Sequence, residues 1–276
     1  MIKKVIKIVI ILVVILFVLI LLGGLFGKIP FASKLLAKIP FLEDFINERN
    51  VIGEEVTYNF SETVDSLDIS IGAAGLRIEK GDELKVVTNL KDIKVEEVGG
   101  TLQIIEDKNI LKTYSDKIVL TVYVPEGKTF NRVNIESGAG TVYLQEVNAD
   151  NADFSLGAGA VTIEKLNISD YAKINGGAGK ISIVDGILKS LKVDLKAGQL
   201  DFSAKVESGA YFNCTTGVSK IALLGSISDY SVSVSKGIGK ITVFGAEVEN
   251  GDVIGEGNTK INISGGVGQI TVEYSV

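Results

Sequence analysis

From about residue 56 to the C-terminus, apolar and polar positions repeat in a ten-residue frame: an apolar residue, two mixed positions, Gly, a small apolar residue, Gly, any residue, apolar, any, apolar. The frame starts at Ile69, Ile135, Phe154, Ile174, Val193, Cys214, Val234 and Ile263. Position eight is Leu76, Val142, Val161, Ile181, Leu200, Ile221, Ile241 and Ile270, and position ten is Ile78, Leu144, Ile163, Ile183, Phe202, Leu223, Val243 and Val272. Every one is apolar, and the residues between them (Arg77, Tyr143, Thr162, Ser182, Asp201, Ala222, Thr242, Thr271) are mostly polar. Alternation of period two predicts a half-buried strand. One strand per repeat cannot bury its own apolar face. Stacked in register, coils of about twenty residues form parallel sheets around a continuous core, so the pattern predicts an all-β parallel β-helix.

The glycines at positions four and six mark the corners between strands: Gly138 and Gly140, Gly157 and Gly159, Gly177 and Gly179, Gly237 and Gly239, Gly266 and Gly268. They are expected to permit positive φ and close approach of neighbouring coils around a small, inward-pointing position five. Lys196, Ala74 and Ser219 depart from the pattern and suggest a tolerant corner. A phosphate-binding loop requires a helix after the glycines, and here a strand follows each time. Calcium-binding nonapeptide repeats require an Asp where Ile181 stands, so no metal or cofactor site is expected at the corners.

The stretch before Phe130 is less regular. Val95–Ile104 reads as a degenerate coil, and Ile118–Val124 as a strand stopped by the turn Pro125-Glu126-Gly127. About eleven coils would make a rod on the order of 50 Å long. Its last unit is followed only by Glu273-Tyr274-Ser275-Val276, so Ile270 and Val272 are expected to face an open end that recruits a partner or a second copy.

The N-terminal segment is of another kind. Residues 1–7 form a basic tail, and residues 8–27 are twenty uncharged, mostly aliphatic residues, long enough as a helix to cross a bilayer. The run is long for a secretory signal and lacks a good cleavage site, which favours a retained transmembrane signal anchor. Lys28, Lys34 and Lys38 nearly balance Lys3, Lys4 and Lys7, so the charge count only leans toward a cytoplasmic N-terminus with an extracytoplasmic body at the cell membrane. Residues 28–55, with Lys-Ile-Pro-Phe occurring twice, suit an amphipathic juxtamembrane segment or equally a stalk; residues 56–276 are the solenoid domain.

Composition narrows the chemistry. Residues 1–50 carry seven Lys and Arg against three Asp and Glu, a net of +4, so the remainder carries -10 of the total -6. An acidic body with Arg77 and Arg132 as its only guanidinium groups offers no footprint for nucleic acid. There is no His and one Cys, which removes His-based triads, His or multi-Cys zinc sites and intrachain disulfides. Asp201 is the only carboxylate at position nine, and Cys214 occupies an inward position without a base, so the chain is not expected to be an enzyme. Tyr171, Tyr211 and Tyr230 recur near corners, as an exposed row able to stack on sugars or partners, or as a ladder covering the core edge. Lys180, Lys220 and Lys240 follow the glycine corners and either line up as a basic stripe or are solvated strand-edge lysines.

A membrane segment, a strand ending in Val124-Pro125-Glu126-Gly127, and then GAG-containing units from Ile135 onward resemble the bacterial putative-adhesin family of β-strand-repeat proteins over roughly residues 56–276. The resemblance implies a right-handed parallel β-helix at the cell envelope and supplies no catalytic residues. The expected function is adhesion, envelope interaction or an envelope-stress accessory role, with the membrane, a protein partner or self-association at the C-terminal coil, and an envelope glycan as candidate partners. The alternatives are a membrane-tethered filament of β-helices stacked end to end and, third, an enzyme acting on wall polymers.

Overall fold

The computed structural model describes residues 52–72, 75–106 and 118–275. The expected transmembrane helix and most of the juxtamembrane segment lie outside the described residues. Residues Asn50–Val276 form a unit of their own. Its strands are β1 (Ile52–Asn59), β2 (Ser66–Ile71), β3 (Leu76–Gly81), β4 (Lys85–Leu90), β5 (Ile93–Val98), β6 (Thr101–Glu106), β7 (Leu120–Pro125) and β8 (Phe130–Leu224). They continue with β9 (Tyr230–Val243), β10 (Ala246–Glu247), β11 (Val253–Ile254) and β12 (Thr259–Ser275). Apart from one 3-10 turn at Ile227–Asp229, the regular structure among the described residues is all β.

β8 is an unbroken extended ribbon of 95 residues that winds through successive coils. Its corners stack glycine on glycine. A Cβ on Gly159 would lie 1.9 Å from the carbonyl oxygen of Gly140, and one on Gly179 2.1 Å from that of Gly159. The two glycines of each corner serve different needs. Gly179 has φ +151 and so requires glycine for conformation as well as for space. Gly177 has no such φ, but a Cβ there would meet the Gly157 oxygen at 2.3 Å. Position five points outward, contrary to expectation: Ala139, Ala158, Ala178 and Ala197 are exposed, and Ile238 is 88% exposed. The corner turns the chain between its two glycines, so the residue between them projects away from the core.

All sixteen apolar residues at positions eight and ten are buried, and they form one core with the inward residues of the other sides of each coil. One frame is displaced. Gly217, at φ +130, stacks on Gly198 and pairs with Gly268, while Ile263 pairs with Phe212. This repeat therefore starts at Phe212 rather than Cys214, and Ser219 is a buried position eight rather than a departure at position six. A slip of two residues preserves the in-and-out alternation, which is why the hydrophobic pattern does not reveal it.

Spatial order departs from sequence order at both ends. β12 does not follow β9 outward; it lies between β8 and β9, parallel to both, with Thr271 beside Lys220 on one edge and Thr242 on the other. Ile270 and Val272 are consequently 4% and 0% exposed and are not an open end. The outer edge of β9 is covered by the antiparallel strands β10 and β11. At the other end, β2 and β3 lie between β8 and an outer layer of β6 and β7. That layer is capped in turn by antiparallel β5 on β6, and by β4 and then β1 beyond β7. The supposed degenerate coil Val95–Ile104 is a hairpin, turned at Gly99 (φ 57) and Gly100 (φ 79), the two positive-φ positions that a tight type I′ turn needs. Five layers from β8, with β6/β7, β2/β3, β12 and β9, make nine among the described residues rather than about eleven. Eight spacings of about 4.8 Å give a stack of about 38 Å.

Candidate functional site

Strand pairing sets outward side chains in columns along the stack. One column runs Thr101, Ser66, Arg132, and continues by the corner stacking to Asn151 and Tyr171. The next runs Gln103, Asp68, Asn134, Asp153, Lys173, Lys192 and Tyr211, and continues through Asn262 to Ser233. Between these columns, from β6 to the coil of Tyr171, the surface sinks into a groove of about 830 Å³. Three smaller pockets, two at the glycine corners and one beside Glu126, each hold about 20 Å³ or less.

The lining is polar and largely pre-arranged. The Asn134 side-chain amide donates to Asp68 Oδ1 at 2.8 Å, fixing both across neighbouring coils. Lys173 pairs with Asp153 at 3.6 Å, and Ser169 Oγ donates to Asp150. Arg132 is exposed and has no ion-pair partner among the described residues. Tyr171 presents its ring at one end, 39% exposed. The groove thus combines fixed acceptors and amides, one free guanidinium and one aromatic surface, a set suited to holding a polar ligand by hydrogen bonds and stacking.

Further along the same face, the Lys192 ammonium lies 6.0 Å from the Tyr211 ring centre and 3.0 Å from Asp194. Burial works against ionisation of Asp194, but the Asn213 amide and Lys192 outweigh it and hold its carboxyl below the ordinary range. The hydrogen bond to Asp194 correspondingly raises Lys192. On a second face, Arg77 sits 4.6 Å over the Tyr143 ring, and a hydrogen bond to Glu164 pushes the Tyr143 phenol upward.

The three tyrosines do not form one row. Tyr171 and Tyr211 are exposed on one face, in adjacent columns two coils apart. Tyr230 is 1% exposed, and its hydroxyl donates to the Leu224 carbonyl at 2.6 Å. Although Ser228-Asp229-Tyr230 echoes Ser169-Asp170-Tyr171, Tyr230 pairs with Thr259, one register step from the position of Tyr171. A one-residue offset turns the side chain to the opposite face.

The lysines form no open stripe: Lys180 meets Asp201 at 2.7 Å, Lys220 meets Glu273 at 3.2 Å and Lys240 meets Glu247 at 3.0 Å. Lys220 also belongs to position nine of the shifted frame, opposite Thr271, and so lies off the line of Lys180 and Lys240. Asp201 is tied to Lys180 and to the Gln199 amide, which together overcome burial and lower its carboxyl. Cys214 is buried at the third position of its unit, and burial pushes its thiol upward. No cluster of three or more potential metal ligands occurs among the described residues.

The groove itself carries no sequence motif, since its members are spaced by whole coils. Composition does not single it out either, since the same outward positions before the later units carry Lys192, Tyr211, Lys260 and Asn262.

A family model described as Toastrack DUF4097 matches residues 64–273. The comparison with curated proteins finds no match. Among solved structures, a "putative adhesin" from Bacteroides fragilis NCTC 9343 is 14% identical, with a TM-score of 0.42 over 79% of this chain and 96% of that one. A "putative adhesin" from Parabacteroides distasonis ATCC 8503 is 13% identical, with a TM-score of 0.43 over 79% and 97%. A "putative lipid binding protein" from the same organism is 17% identical, with a TM-score of 0.34 over 78% and 96%. At such TM-scores the likeness adds nothing to the strand pairing described above.

Proposed function

Because the chain belongs to the Toastrack DUF4097 family and its described residues form a β-solenoid with a polar groove, we propose that it is a membrane-anchored, extracytoplasmic binding protein without catalytic activity. The apolar run of residues 8–27 tethers it, and the solenoid presents its polar groove to the cell envelope. The observation that carries this reading is the groove: about 830 Å³ of polar, pre-paired side chains on a rigid parallel sheet. Its carboxylates are engaged with Asn134, Ser169 and Lys173, an arrangement that favours holding a ligand over moving a proton. We take the coils to wind right-handed, as connections between parallel strands of one sheet overwhelmingly do. The end-to-end filament loses its motive, because antiparallel strands cover the outer edges of both β9 and the β6/β7 layer.

The test uses the full chain in nanodiscs and isolated envelope material. The wild type is expected to bind it, Asn151→Trp to lose binding by filling the groove, and Val184→Trp, at a 53% exposed position outside the groove lining, to retain it. Equal binding by all three would refute the groove as the site.

A further inference from the structure

We infer that the ligand of this groove is a neutral, linear oligosaccharide lying along the solenoid axis; the inference rests on the groove being the binding site. The direction comes from the lining. The groove crosses the layers of β6, β2 and three coils of β8, four spacings of about 4.8 Å or about 19 Å in all. That length holds about four pyranose rings, each spanning close to one coil. The repeat of the ligand then matches the repeat of the sheet, and successive rings meet chemically similar columns.

The charge inventory selects the class. Asp68, Asp150 and Asp153 face Arg132 and Lys173, so the lining is net -1 and presents no cationic surface to a polyanion. Beyond their mutual hydrogen bond, Asp68 retains a second carboxylate oxygen and Asn134 a second N–H, the acceptor and donor combination that vicinal sugar hydroxyls satisfy together. Asn151 and Arg132 add donors in the neighbouring column, and the exposed Tyr171 ring supplies an apolar face for the C–H face of a terminal ring. A lipid is disfavoured, because Tyr171 is the one exposed large hydrophobic side chain among the lining residues. An extended peptide would bring N–H and C=O groups that need a sheet edge, and this surface is the face of a sheet.

The experiment is direct titration of the full chain in nanodiscs with neutral tetrasaccharides (chitotetraose, cellotetraose, maltotetraose, mannotetraose) and with a uronic-acid tetrasaccharide. At least one neutral tetrasaccharide is expected to bind, with a Kd that changes less than about twofold between low and high salt. Tyr171→Ala should weaken it about tenfold, Tyr171→Phe should restore most of the loss, and Tyr211→Ala should leave it unchanged. Binding of the uronic-acid probe alone, with Tyr171 dependence and steep salt sensitivity, overturns the neutral class while leaving the groove as the site. Failure of all tetrasaccharides while envelope material still binds and Asn151→Trp abolishes it overturns the glycan and leaves the proposed function. Neutral-glycan binding indifferent to both Tyr171→Ala and Asn151→Trp overturns the site itself.

Discussion

Two glycines of one corner and the glycine of the β9–β10 turn allow conformation and space to be separated by three single substitutions to Ala. Gly245 has φ +86 and open space where a Cβ would go, so Gly245→Ala incurs only the positive-φ cost, about 1–2 kcal/mol. Reduced freedom of the unfolded chain offsets about 0.4–1 of it, leaving about 0.5–1 kcal/mol. Gly177 has no positive φ, but its Cβ would stand 2.3 Å from the Gly157 oxygen, where ordinary contact begins at 3.4 Å. Relieving that gap of about 1 Å separates two coils locally and strains two or three ladder hydrogen bonds at about 1 kcal/mol each. Net of the same offset, Gly177→Ala should cost about 1.5–2.5 kcal/mol. Gly179 combines φ +151 with a 2.1 Å approach, so Gly179→Ala should cost about 3–4 kcal/mol. Urea unfolding of the full chain in nanodiscs, followed by circular dichroism, reads all three. The order Gly245 < Gly177 < Gly179 supports the stacked corner. A Gly177→Ala variant within about 0.5 kcal/mol of wild type would refute the close approach of coils.

Acid titration should expose the Lys80–Glu146 pair, 2.7 Å apart: the Lys80 hydrogen bond, working against burial, holds the Glu146 carboxyl below the ordinary range. A depressed carboxyl contributes stability above its unfolded value and loses it as pH falls through the folded one, so Glu146→Gln should flatten the acid side of the stability curve and leave the region near pH 7 nearly flat, as unfolding at stepped pH would show. Cys214 should stay unmodified by a thiol reagent at pH 7 and react fully in urea, since burial both hides and raises it; rapid native labelling would contradict its place in the core. Ile270→Ala should cost about 2–4 kcal/mol and Ile238→Ala under about 0.5, because one lies in the core and the other is the outward corner residue; equal costs in urea would contradict the position of β12.

Much of the architecture was legible because a solenoid repeats its physics. The sixteen inward residues from Leu76 to Val272 are legible by alternation alone, and the paired glycines by their spacing. Order in space was not, since a linear repeat says which strands stack and not which neighbours they choose. β12 takes the inner slot, where both its edges pair, while residues 244–258 supply the strands that shield β9. The frame at Phe212 escaped because a two-residue slip is silent to period two, and the φ of Gly217 and its pairing with Gly268 distinguish the two choices. Tyr230 misled for the opposite reason: a one-residue offset from Tyr171 is invisible in a three-residue echo and decisive for which face it takes. The groove depends on Arg132, Asn151 and Tyr171, separated by 19 and 20 residues, becoming adjacent only when the coils are stacked.

Envelope binding requires the groove to be open on the outer side of the membrane, and cysteine labelling of living cells measures this directly. Cells producing the full chain with Cys214→Ala and Asn151→Cys are treated with a membrane-impermeant maleimide, alongside cells carrying Cys214→Ala and Ile2→Cys. With the groove outside, Asn151→Cys is modified in intact cells and Ile2→Cys only after permeabilisation. Labelling of Ile2→Cys from outside, with Asn151→Cys reached only in permeabilised cells, would place the groove in the cytoplasm and contradict envelope binding.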